Sequence, residues 1–110
     1  MSARLASGAL VNALVRRAGR EGGCATILAK GDATAGAILV IAQHRGENAR
    51  AYERGIGPRG ETALIAAGPE GDDKVNDYWM RRRKSDPDLW VVEVDIAQAE
   101  RFVAETMLGD

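Results

Sequence analysis

The sequence is poor in the residues from which disulfide bridges and metal sites are built. It contains one cysteine, Cys24, and one histidine, His44, among 110 residues. A single cysteine cannot form a bridge within the chain, which fits a reducing compartment, and we expect a cytoplasmic protein. One thiol and one imidazole are too few soft ligands for a zinc site. We therefore expect a fold stabilised by its core, with no cofactor.

Long apolar runs and a charge excess are also missing. The longest apolar stretch, Ala35 to Ala42, is too short to span a bilayer, and residues 1–19 carry arginines inside a helical pattern. We expect neither a membrane segment nor an export signal. A formal net charge of −1 removes the electrostatic case for a dedicated nucleic-acid binder, so any such role must come from a local patch. With 45% hydrophobic and 28% charged residues, the composition is typical of one globular domain, residues 1–110.

The first two thirds of the chain predict one helix followed by a run of strands. Apolar residues at helical spacing predict a helix over residues 6–19, which ends before Gly22 and Gly23. Four strands are indicated by β-branched or apolar runs and by the turn residues between them, over residues 24–30, 37–42, 49–54 and 62–67. Because the connections are short, we predict that residues 24–67 form an antiparallel meander.

The last third predicts a helix, a strand and a second helix. The first helix begins at Asp72, ends in a basic run and is stopped by Asp86-Pro87-Asp88; the strand covers residues 89–94. Asp95 is predicted to cap the last helix, with Gln98 completing a capping box.

The element order αββββαβα indicates an α+β fold, with a mainly antiparallel sheet of about five strands covered by three helices. Residues 38–42 and 89–94 are apolar on both faces, so both are predicted to be interior strands.

Two glycine-rich segments are interpreted as turns. Gly55-Ile56-Gly57-Pro58-Arg59-Gly60 has the G-x-G-x-x-G spacing of dinucleotide sites, but a strand follows it where that motif requires a helix. In Gly31-Asp32-Ala33-Thr34-Ala35-Gly36, Asp32 and Thr34 are expected to make local turn hydrogen bonds. Neither segment indicates a cofactor.

Other candidates for chemistry have little support. A pair of Cys24 with His44 requires a reactive thiol, whereas Cys24 is expected to behave as a small hydrophobe and His44 to end a strand in solvent. A magnesium site on Asp86 with Asp88 stays open but unspecific.

The densest charge run is the strongest functional candidate. Arg81-Arg82-Arg83-Lys84 follows Tyr78 and Trp79, and guanidinium groups beside aromatic rings are typical of phosphate and base recognition. The candidate site for an anion or a partner consists of Trp79, Arg81, Arg83 and Lys84. The competing interpretation is a solvated helix end, in which Asp77 pairs with Arg81 while Tyr78 and Trp79 pack on the sheet.

Glu93 lies in an otherwise apolar strand. Alternation places it on the face of Leu89 and Val91, where a carboxylate needs a partner. We predict a buried ion pair between Glu93 and an arginine, and a general-acid role is the alternative.

Three segments resemble a short bacterial family known as domain of unknown function 1491: Asp86-Pro87-Asp88-Leu89-Trp90-Val91-Val92-Glu93, Ala13-Leu14-Val15-Arg16-Arg17 and the loop Gly31-Asp32-Ala33-Thr34-Ala35-Gly36. The likeness spans nearly the whole chain. The family has no assigned reaction, cofactor or functional residues. The resemblance therefore implies a stand-alone bacterial protein and says nothing of mechanism.

Three function hypotheses follow. The first is a small non-catalytic interaction module that meets another protein, or a second copy of itself as a homodimer, through a sheet edge or the tryptophan face. The alternative is a weak phosphate or nucleic-acid binder that uses residues 78–84. An enzyme is the third hypothesis and is disfavoured, because the sequence offers no nucleophile with a base, no metal cluster and no credible cofactor loop.

Overall fold

The helices and strands follow the predicted order. The computed structural model describes residues 5–109. Within that range the elements are α1 (Ser7–Arg20), β1 (Cys24–Ala29), β2 (Ile38–His44), β3 (Glu47–Ile56), β4 (Thr62–Ala67), α2 (Asp72–Ser85), β5 (Trp90–Asp95) and α3 (Ala99–Leu108). The predicted α+β class, with a five-stranded sheet and three helices, is confirmed for this part of the chain.

The strand order of the sheet is β1-β5-β2-β3-β4. Strands β2, β3 and β4 form an antiparallel meander, and β1 pairs antiparallel with β5, but β5 pairs parallel with β2. The predicted meander over residues 24–67 is therefore wrong at its first strand. The reason is that β5 is apolar on both faces and needs a neighbour on each side, so it lies between β2 and the half-exposed β1.

Two hydrophobic cores lie on opposite faces of the sheet. Strands β2 and β5 contribute alternate residues to each core, which confirms that both are interior strands. One core packs under α1 and α3 and includes Val40, Val92 and Phe102. The other packs under α2 and includes Leu39 and Val91. The sheet is thus the middle of three layers.

The loop between β1 and β2 is held by its own turn and by β5. The carboxylate of Asp32 accepts hydrogen bonds from the backbone N–H of Thr34 at 3.2 Å and of Ala35 at 2.9 Å, as predicted. Its carbonyl oxygen accepts a hydrogen bond from the indole N–H of Trp90 at 2.7 Å. The loop is therefore fixed at the start of the central strand β5.

Two glycines bring this loop against the chain segment that precedes β5. A Cβ atom at either Gly31 or Gly36 would lie 2.2 Å from the carbonyl oxygen of Asp88. Such a separation is well inside van der Waals contact, so only glycine allows the approach. Two of the three segments that carry the family resemblance are thus in contact.

The other glycine-rich segment is the β3–β4 hairpin turn. The N–H of Gly57 donates to the carbonyl oxygen of Glu61 at 2.7 Å, and Gly60 adopts a φ of +78°. A strand follows directly, so no helix N-terminus is available for a phosphate, as expected.

The start of α3 differs from the prediction. The helix begins at Ala99, its N-cap is Gln98 in a left-handed conformation, and no side chain caps it. The carboxylate of Asp95 instead accepts hydrogen bonds from the N–H groups of Arg45 at 2.7 Å and Gly46 at 2.9 Å. The capping box is wrong because the tight β2–β3 turn presents two backbone donors to this carboxylate.

Candidate functional site

The four consecutive cations of α2 point to different surroundings. Arg82 faces the sheet, where its Nη1 lies 2.7 Å from Oε2 of Glu53 and its Nη2 lies 3.1 Å from Oε1. Its Nη1 also donates to the hydroxyl oxygen of Tyr78 at 2.8 Å. The hydrogen bonds to Glu53, the largest cause, and to Tyr78 raise the pKa of Arg82 further above its usual range. Arg82 therefore attaches α2 to β3.

Arg83 makes contacts with backbone carbonyls. Its guanidinium donates to the carbonyl oxygen of Pro87 and, at 3.0 Å, to that of Lys30. These bonds join the end of α2 to the end of β1. The candidate Arg83 thus supplies positive charge to the surface while its donors hold two chain segments together.

Arg81 and Lys84 lie on the solvent side of α2, and both are exposed. Within residues 5–109, neither side chain forms an ion pair, so the expected pair of Asp77 with Arg81 is not formed there. Residues three apart share one helix face, and the two charges are therefore presented together.

Apolar side chains lie beside these cations. Trp79, Met80, Arg81, Arg83 and Lys84 line a shallow depression of about 470 Å³, and we call these five residues the α2 patch. Met80 is 55% exposed. The patch combines an apolar floor with a cationic rim.

The side chain of Trp79 is fixed by the hydrophobic core under α2 and by a hydrogen bond within the helix. Its side chain packs against the core beneath α2, as the competing interpretation of a solvated helix end expected for Trp79 and Tyr78, and its indole N–H donates to Oδ1 of Asn76 at 3.1 Å. The half-buried ring therefore forms part of the floor.

Glu93 lies on the α2 side of the sheet, between Thr26 of β1 and Ile41 of β2. It is half-buried rather than enclosed. No ion pair of Glu93 is seen in the described part of the chain, so the structure does not supply the arginine that the sequence led us to expect. An intermediate burial leaves part of this residue open to solvent, so it does not require the buried partner that the sequence predicted.

The remaining titratable candidates are not brought together. Cys24 is exposed at the start of β1 rather than packed in a core, and His44 is exposed at the end of β2. Strand β5 lies between the two strands that carry them. Over residues 5–109, no group of three His, Cys, Asp or Glu side chains is placed to hold a metal ion.

Sequence reasoning missed a polar groove between β3 and the neighbouring helices. Its volume is about 840 Å³. Arg50 Nη1 lies 2.5 Å from Oε1 of Glu70, and the hydroxyl of Tyr52 donates to Oε1 of Glu100 at 2.7 Å. Burial, first, and the hydrogen bond and charge of Glu100 raise the pKa of Tyr52 to about 12. The alternation of Arg50 and Tyr52 along the strand was visible, but their partners are distant in sequence.

The groove and the α2 patch differ in how their charges are satisfied. In the groove, the guanidinium of Arg50 and the hydroxyl of Tyr52 already have carboxylate partners. In the α2 patch, the exposed cations Arg81 and Lys84 have none among the described residues. Of these two sites, the patch is the one that offers an anionic ligand cations without a carboxylate partner among residues 5–109.

The family of the chain follows from its sequence and fold together. Residues 5–104 match the family model described as protein of unknown function DUF1491. The chain belongs to the DUF1491 family. No curated protein matches it.

Solved DUF1491 structures have the same fold. The chain is similar to a DUF1491 family protein from Caulobacter crescentus in a crystal structure, with 36% identity, a TM-score of 0.79 and coverage of 90% of this chain and 94% of that one. An NMR structure of a DUF1491 family protein from the same organism gives 37% identity, a TM-score of 0.72 and coverage of 84% and 86%. The chain is also similar to protein Atu0922 from A. tumefaciens in a solution structure, with 32% identity and a TM-score of 0.66. That match covers 86% of this chain and 87% of the other.

Membership of the DUF1491 family assigns no reaction or ligand to the chain. None of the described helices is long and apolar enough to cross a membrane.

Proposed function

We propose that this DUF1491 protein is a non-catalytic interaction module whose α2 patch binds an acidic segment of another protein. The observation that carries the proposal is the position of Met80, an apolar side chain that is 55% exposed, beside Arg81 and Lys84, two cations that form no ion pair within the described residues 5–109. Exposed apolar surface rimmed by charge is typical of a protein-binding site.

The chemistry of the patch selects the partner. Covering the exposed half of Met80 removes apolar surface from water, which is worth about 1 kcal/mol, roughly half the value for a fully buried side chain. Each carboxylate placed against Arg81 or Lys84 adds about 0–1 kcal/mol at such an exposed site. The partner segment is therefore acidic, contains an apolar side chain, and binds weakly.

A protein segment fits better than a nucleic acid. Base stacking requires a free aromatic face, whereas Trp79 is half-buried against the core. Because Arg83 is engaged with backbone carbonyls, the exposed cations of the patch that remain for phosphates are Arg81 and Lys84. Two phosphate contacts limit the salt dependence of binding to a slope of about −2.

Catalysis forms no part of the proposal. The patch presents cations and apolar side chains, without the carboxylate, thiol or imidazole that acid–base or nucleophilic chemistry commonly requires.

The test is a binding titration with a fluorescently labelled peptide of alternating glutamate and leucine. We expect R81A/K84A to weaken binding about tenfold, the effect of two exposed ion pairs, and M80Q to weaken it as well. The matched control is R16A/R20A, which removes two exposed cations from α1. It should leave affinity within about twofold.

Two results would overturn the proposal. Equal losses in R81A/K84A and R16A/R20A would mean that the peptide responds to net charge alone. Tighter binding of an oligothymidylate that is lost in R81A/K84A would favour the nucleic-acid alternative.

A further inference from the structure

Strand β4 is a free edge of the sheet. It lies at the end of the strand order, and among residues 5–109 its one strand partner is β3. Its six residues, Thr62–Ala67, include no charged side chain. Ile65 is 40% exposed. Edge strands are commonly protected from pairing by charges, prolines or bulges, and these protections are absent from the β4 segment.

The backbone groups of this edge are available for pairing. The hydrogen bond from Gly57 N–H to Glu61 C=O continues the β3–β4 register and fixes which residues bond to β3. Because bonding direction alternates along an antiparallel strand, the N–H and C=O groups of Thr62, Leu64 and Ala66 point away from β3. These three donors and three acceptors form a regular row.

The opposite edge is different. Strand β1 has an irregularity in its pairing with β5 between Ile27 and Ala29, whereas the β3–β4 register is unbroken over all six pairs. An irregular strand is a poor template for further pairing. The β4 edge is therefore the one suited to adding a strand.

We propose that β4 pairs antiparallel with β4 of a second copy of this chain, around a two-fold axis at Leu64. In this register Leu64 lies opposite Leu64 of the second copy, and Thr62 lies opposite Ala66. All three donors and all three acceptors of each edge are then satisfied. A two-residue slip of the register leaves part of each row unpaired. The two sheets become one ten-stranded sheet.

The side chains agree with this register. On the α2 side of the sheet, the exposed Ile65 lies opposite Ala63 of the second copy, so apolar surface is covered. No like charges oppose each other, and the edge is complementary to itself, which favours a second copy over an unrelated strand.

Sedimentation equilibrium with edge variants tests the proposal. The wild type should approach twice 11.7 kDa as its concentration is raised from micromolar to millimolar. T62K/A66K places lysine opposite lysine in the proposed register and should remain a monomer. T62E/A66K places opposite charges face to face and should recover the dimer. T26K, at an exposed position of the other edge, is the matched control and should dimerise like the wild type.

Circular dichroism checks that each variant is folded. A wild type that stays monomeric at millimolar concentration, or a T62K/A66K variant that still dimerises, would overturn the β4 interface. A monomeric T62E/A66K variant would overturn the register centred on Leu64. The α2 patch is not altered by these substitutions, so peptide binding there succeeds or fails independently.

Discussion

Arg82 and Glu53 form a bidentate ion pair between α2 and β3, with N–O distances of 2.7 Å and 3.1 Å. Both side chains are largely shielded from water, with exposures of 28% and 27%. Arg82 therefore has a structural role that its neighbours in the same basic run do not share. Arg81 and Lys84 face solvent, so the run consists of residues with different roles.

Removing this pair is predicted to destabilise the fold. We expect R82A and E53A each to lower the free energy of unfolding by about 1–3 kcal/mol, because each leaves a half-buried charge without its partner. The double variant R82A/E53A should lose less than the sum of the two. Urea denaturation measures all three. The control R81A/K84A should change stability by about 0–1 kcal/mol. A larger loss in R81A/K84A than in R82A would reverse the assigned roles.

The contact of the glycine loop with Asp88 predicts a second stability effect. G31A and G36A should each lower the free energy of unfolding by about 1–3 kcal/mol, because the added methyl group is forced against a backbone carbonyl. G19A is the control, since Gly19 lies in α1 with open space around its Cβ position. It should raise stability by about 0.5–1 kcal/mol through helix propensity. Thermal unfolding distinguishes these signs, and tolerance of G31A and G36A would argue against the close contact.

Tyr52 should titrate at an unusually high pH. The chain has two tyrosines, so Y78F leaves Tyr52 as the only phenol to follow by ultraviolet absorbance. We expect a pKa of about 12, raised by burial first and by Glu100 second. Adding E100Q should lower the pKa part of the way to the ordinary value of about 10, since burial remains.

The same shift makes stability depend on pH. Because the native state favours the neutral phenol, the contribution of Tyr52 is complete below pH 10 and is lost as the pH rises from about 10 through 12. The Y52F variant should not show this loss of stability between about pH 10 and 12. Equal alkaline destabilisation of wild type and Y52F would contradict the assignment.

Local pattern was sufficient to predict the elements but not their arrangement. The apolar run of β2 and the helical spacing of apolar residues in α1 are properties of neighbouring residues, and both predict the observed elements. The position of β5 between β1 and β2 depends on which strand must be covered by a neighbour on each side. That can be decided only by comparing all the strands of the sheet. Asp95 illustrates the same limit: its helix-capping pattern is local, whereas the turn donors it binds lie 49 and 50 residues away.

The site was predictable in part for the same reason. The basic run and Trp79 are contiguous and were visible in the sequence. The inward role of Arg82 depends on Glu53, 29 residues away, and the groove depends on the pairs Arg50–Glu70 and Tyr52–Glu100, separated by 20 and 48 residues. Such contacts exist only after the chain has folded.

Chemical-shift mapping locates the partner surface directly. Isotope-labelled protein is titrated with the glutamate–leucine peptide while backbone amide shifts are followed by NMR. The α2 patch predicts that the largest shifts fall at residues 79–84, with the Trp79 indole N–H among them, and that they disappear in R81A/K84A. Shifts of equal size spread over α1, or largest shifts along the β4 edge, would contradict α2 as the binding surface.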